Sequence, residues 1–110
     1  MALTLVATLA TTIAQSKFSG IYAGSSSNRN KVIMAITKGG HILGLDSDSE
    51  GLVDALNPSK STVNVDGKLK SVTGDGQFTL TGTISSDFKF KGTGKEGSQT
   101  IRITASRTLD

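Results

Sequence analysis

A chain of 110 residues with 35% hydrophobic side chains can bury one modest core and is too short for two domains. It has no cysteine, which excludes disulfides, thiolate catalysis and cysteine-ligated zinc. Its net charge of +3, from 12 Lys and Arg against 9 Asp and Glu, is weak evidence for a polyanion partner, because the cations are scattered rather than run together.

Aromatics make up 5% and tryptophan is absent, so the core must come from Ile, Leu, Val and the four Phe. Glycine, serine and threonine dominate the remainder. That mixture suits short strands, tight turns and a threonine-covered outer face.

Residues 2–15, ALTLVATLATTIAQ, carry no charge, no glycine and no proline, whereas all 13 glycines and the single proline follow them. Thr4, Val6, Thr8, Thr11, Thr12 and Ile13 are β-branched, which favours extended backbone. Leu3, Leu5, Ala7, Leu9 and Ile13 share one face at period two, with Thr4, Thr8 and Thr12 on the other. Extended, the segment would reach roughly 46 Å, against about 17–20 Å for an ordinary strand, so a small domain would struggle to pair all of it. The spacing also admits an amphipathic helix, with Thr4, Thr8, Thr11 and Gln15 on one side, or a leftover targeting segment that lacks a positive start. It is too short and too polar to span a membrane.

Residues 17–24, KFSGIYAG, read as the next strand, with Phe18 and Tyr22 on one face, and residues 25–30 as a polar loop. Residues 32–37 are apolar on both faces, as in a central strand, and Gly39-Gly40 supply a tight primed turn into residues 42–45. An acidic loop at 46–51, a short apolar piece at 52–56 and the break at Asn57-Pro58-Ser59 follow. Asp66-Gly67 then turns a hairpin between residues 62–65 and 68–72. After a further turn at 73–76, Phe78, Leu80 and Ile84 alternate with Thr79, Thr81 and Thr83. Residues 85–87 reverse the chain, and Phe88 and Phe90 alternate with Lys89 and Lys91. Ile101, Ile103 and Ala105 alternate with Arg102 and Thr104 in the last strand.

LTLVATL at 3–9 lies over FTLTGTI at 78–84, and each leads into a strand opening with Phe. This repeat of a hairpin unit favours strand over helix for the N-terminal segment. With the G-x-Y-x-G of residues 20–24 and the run GQFTLTGTISSDFKFKGTG, the chain resembles small Gly/Thr-rich barrel or sandwich domains of secreted and surface proteins of bacteria. Such a resemblance implies a structural or adhesive part and an extracellular or cell-surface location, and assigns no chemistry.

The sharpest candidate for chemistry is Asp46-Ser47-Asp48-Ser49-Glu50-Gly51, with Asp54 three residues on. Acids at positions 1, 3 and 5 and glycine at 6 are how a calcium loop surrounds a hard cation. Position 12, however, is Asn57 rather than the bidentate Glu, and no helices flank the loop. A solvated acidic hairpin end therefore outweighs a weak calcium site at Asp46, Asp48, Glu50 and Asp54, and no other cofactor is expected. His41, the sole histidine, sits at a turn edge and no G-x-S-x-G accompanies it, so an enzyme is not expected. Alternation sends Phe88 and Phe90 away from Lys89 and Lys91, which argues against a base-stacking strand and against nucleic acid as a partner.

The sequence thus predicts an all-β protein: a single antiparallel barrel or sandwich of about nine short strands, with a long N-terminal strand. Residues 1–16 form that strand and 17–110 the domain. The functional expectation is a structural or surface protein, a homo-oligomer built by strand exchange through Leu3, Leu5, Ala7, Leu9 and Ile13, with a filament subunit as one form of it. The alternative is a monomeric binding module for a small ligand or a partner protein.

Overall fold

The computed structural model describes residues 16–27, 31–47, 52–54 and 57–110. Nine strands follow one another: β1 (Gly20–Ser26), β2 (Lys31–Ile36), β3 (Ile42–Ser47), β4 (Leu52–Asp54), β5 (Thr62–Val63), β6 (Lys68–Val72), β7 (Phe78–Ile84), β8 (Lys89–Glu96) and β9 (Gln99–Leu109). One 3₁₀ turn, Pro58–Lys60, precedes β5, where Asn57 accepts a hydrogen bond from the amide of Ser59. All pairings are antiparallel, in the order β4-β3-β2-β1-β9-β8-β7-β6-β5.

The ends of this sheet meet. His41 bridges Thr62, Ile42 N–H donates to Ser61 C=O (2.9 Å) and Val63 N–H donates to Gly40 C=O (2.9 Å), so the start of β3 nearly closes the sheet into a barrel against β5. The same segment is tied to β6, because Asn57 N–H donates to Val72 C=O and the Ser61 hydroxyl bonds both the amide and the carbonyl of Val72. Closure removes a long unpaired edge, the usual hazard of an open sheet.

Inside the barrel the alternating apolar positions meet. Tyr22, Met34, Ile42, Leu80, Ile84, Phe90 and Ile103 are fully buried, and Phe18, Val32, Ile36, Val63, Leu69, Phe78 and Ala105 complete the core. Glycines on the inward face make room for the large rings. A Cβ on Gly92 would lie 2.2 Å from Phe90 Cζ, and one on Gly94 would lie 2.6 Å from Phe78 Cζ. The rings thus lie over bare backbone of β8, and the scarcity of aromatics does not leave the barrel hollow.

Several expectations need correction. The second strand begins at Gly20 rather than at residue 17, because Gly20 has φ 139° and a Cβ there would meet Leu109 C=O at 2.3 Å. β1 pairs with β2 on one side and with β9 on the other, so both of its edges are taken within the sheet. The turn after β2 is a type I turn closed by Gly40 at φ 82°, not a two-residue primed turn: Gly40 N–H donates to Thr37 C=O and Thr37 N–H to His41 C=O. Phe88 precedes β8 instead of belonging to it. The acidic loop is shorter than expected, because Asp46 and Ser47 extend β3. Residues 1–15, all but the last residue of the N-terminal strand expected at 1–16, lie outside the described residues.

Candidate functional site

One end of the barrel is closed by side chains from the two ends of the described chain. Ser16 starts it: its amide donates to Lys38 C=O (2.7 Å), and its hydroxyl accepts from the amide of Phe18 (3.1 Å). This turn drives the Phe18 ring into the core, where it is 3% exposed. The Tyr22 hydroxyl donates to Phe18 C=O at 2.8 Å, which satisfies the one polar atom of a wholly buried tyrosine. Burial pushes the Tyr22 phenol above its ordinary value, and the nearby Arg107 charge opposes that shift.

Phe88 covers the Phe18 ring edge-on, with centroids 6.2 Å apart. Arg107, on β9, lays its guanidinium on the other side, with Cζ 3.6 Å from the Phe88 centroid. The same guanidinium donates through Nη1 to Lys17 C=O (3.2 Å) and Ser19 C=O (3.3 Å), and the Arg107 amide donates to Phe88 C=O (3.0 Å). Lys17 adds its ammonium 5.2 Å from the Phe18 centroid. Residues 16–19 are therefore clamped between the last strand and the β7–β8 turn. Chemically this is an anchor. Its polar groups hold backbone carbonyls, and it pairs no nucleophile with a base.

Of the calcium candidates, Asp46 stands opposite Val53, and Asp54 stands opposite Leu45, in β3 and β4. Asp48 and Glu50 lie outside the described residues, as do Leu3, Leu5, Ala7, Leu9 and Ile13. Among the described residues no cluster of three or more metal-binding side chains occurs. His41 is exposed and serves closure, donating its amide to Thr37 Oγ1 (3.1 Å) and bridging Thr62. The alternation of the β8 strand holds, with Phe90 buried and Lys89 and Lys91 exposed.

Sequence reasoning missed the pairing of Phe88 with Arg107. A signal was present. Thr37–His41, Asn64–Lys68 and Ser85–Lys89 are hairpin ends with the same hydrogen bonds, and the left-handed position holds Gly40, Gly67 and Phe88 in turn. A phenylalanine where its two counterparts carry glycine marks a residue held there by something else. Among the described residues no helix is long and apolar enough to cross a membrane. Compared with family models, curated proteins and solved structures, the chain matches none.

Proposed function

We propose that this is a structural or surface protein, without catalysis, that self-associates through the N-terminal strand expected at residues 1–16. The observation that carries this reading is the pairing of β1, whose two edges are occupied by β2 and β9. Among the described residues the sheet ends at β4 and β5, three and two residues long, so neither provides there a ladder for a strand of that length. A strand from a second copy does, and pairing with it covers Leu3, Leu5, Ala7, Leu9 and Ile13 as well as the backbone groups. The anchor supports the same reading, because the clamp on residues 16–19 fixes rigidly the point at which this segment joins the barrel.

The alternative, a barrel that holds a small ligand, finds no support in the interior, which Tyr22, Met34, Leu80 and Phe90 fill. The test is mass in solution across a concentration series, for the full chain and for a form lacking residues 2–9. The full chain should be oligomeric, and the shortened form should be a folded monomer or need a peptide of residues 2–14 to fold. A full chain that stays monomeric at high concentration overturns the reading.

A further inference from the structure

The cations that look scattered in the sequence are gathered by the sheet. On the outer face, Lys68 stands opposite Thr83 and Thr83 opposite Lys91; Lys70 opposite Thr81 and Thr81 opposite Thr93; Val72 opposite Thr79 and Thr79 opposite Lys95. Lys89 precedes this array on β8. The β6 and β8 lysines and the three β7 threonines are exposed. Strands in a sheet lie about 4.8 Å apart, so the two lysine lines run about 10 Å apart with a floor of short hydroxyl side chains between them. Arg102, Thr104 and Ser106 of β9 continue the face beyond β8.

Two shallow depressions flank the Lys89–Lys91 line, one lined by Thr83, Ser85 and Asp87, the other by Thr104, Ser106 and Ala23. The outward positions of β6, β7 and β8 include no acid. The nearest carboxylates are at the margins. Asp66, Asp75 and Asp87 are in turns, Asp87 with Lys89 Nζ 4.0 Å away, and Glu96 ends β8.

We propose that this trough binds one chain of an acidic polysaccharide, laid along β7 with its carboxylates or sulfates against the lysines of β6 and β8. The charge is complementary, and the threonine hydroxyls both donate and accept, as sugar hydroxyls require. The width is that of a single extended chain, so a nucleic-acid duplex would meet only its rim. A single nucleic-acid strand needs exposed rings to stack its bases, but the rings of Phe18, Tyr22, Phe78 and Phe90 are inside the barrel and the half-buried ring of Phe88 is covered by Arg107. A membrane surface would add apolar insertion, and the trough presents none beyond half-buried Val72. This binding is independent of self-association: one is read from affinity, the other from mass.

The experiment measures the affinity of the full-length protein for oligogalacturonate and for a sulfated dextran fragment at low salt. The variant Lys68→Ser/Lys91→Ser is compared with Lys31→Ser/Lys38→Ser, which removes the same charge from exposed positions on β2 and the β2–β3 turn, away from the trough. The trough variant should bind about tenfold more weakly, and the control within about twofold of the parent. Both variants should keep the parent melting temperature, since all four lysines are exposed. Single-stranded and duplex oligonucleotides and anionic vesicles should bind more weakly than the sugars. Equal losses in both variants, tighter binding of an oligonucleotide or vesicle, or no binding of either sugar overturns the proposal.

Discussion

The guanidinium carbon of Arg107 stands 3.6 Å from the centroid of the Phe88 ring, and Phe88 is the one non-glycine among the described residues with positive φ, at 62°. An L-residue in that conformation costs about 1–2 kcal/mol, and the cost is met by burying the ring between Arg107 and Phe18. Phe88→Ala keeps the backbone strain and loses the ring; Phe88→Gly loses the ring and relieves the strain. Both should destabilise, with the glycine variant more stable than the alanine by about 1 kcal/mol in urea unfolding. The cycle of Phe88→Ala with Arg107→Ala should show a coupling of about 1 kcal/mol. An alanine variant more stable than the glycine variant would mean that the left-handed turn is wrong.

The Phe90 ring lies over Gly82 and Gly92, and a Cβ on Gly92 would come within 2.2 Å of it. Ordinarily alanine suits a strand better than glycine. Here Gly92→Ala should destabilise by about 1–3 kcal/mol, because the ring cannot retreat into a filled core. Thermal unfolding of the variant checks this, and an unchanged or raised Tm refutes the packing.

Phe90 is 1% exposed and its neighbour Lys89 is exposed on the opposite face. Phe90→Ala should cost about 3–5 kcal/mol and Lys89→Ala close to nothing. Similar losses at the two positions would show that the register of β8 is misplaced.

Tyr22 is the single tyrosine, so its ionisation can be followed alone by ultraviolet absorbance. Its phenol is raised in the folded protein by burial, while the unfolded chain ionises near the ordinary value of about 10. A raised folded value means that the stabilisation is complete below that pH and is lost as pH climbs through the folded one. Stability should therefore hold to about pH 10 and then fall until the native absorbance change is complete. In Tyr22→Phe this alkaline fall should diminish, although loss of the bond to Phe18 C=O lowers stability at neutral pH. Titration of native Tyr22 at the ordinary value would contradict its burial.

Asp46 and Asp54 lie in the strands β3 and β4, whereas a calcium loop supplies its acids from one continuous loop. Millimolar calcium should leave the Tm unchanged, since an ion that binds only the folded state raises it by mass action. An upward shift abolished by Asp48→Ala would establish the site.

Alternation and turn chemistry made the strands from Phe78 to Ala105 legible, because a residue's face follows from parity once a strand is granted. Gly67 likewise marked its turn, since a dipeptide tolerant of positive φ acts locally. What lay beyond local reading were relationships between distant positions. Phe88 reads as a strand residue until Arg107 and Phe18 are known to meet it, for a nonlocal contact can outweigh a backbone preference of about 1–2 kcal/mol. The partners of β1 were likewise undetermined. A strand carries two equivalent edges, and pairing with β9, some eighty residues later, follows from closing the barrel and not from anything in residues 20–26. The six cations at 68, 70, 89, 91, 95 and 102 are spread through the sequence and become one face only when antiparallel pairing sets β6, β7, β8 and β9 side by side. Composition and period fixed which residues are inside; register alone decided which of the outer ones are neighbours.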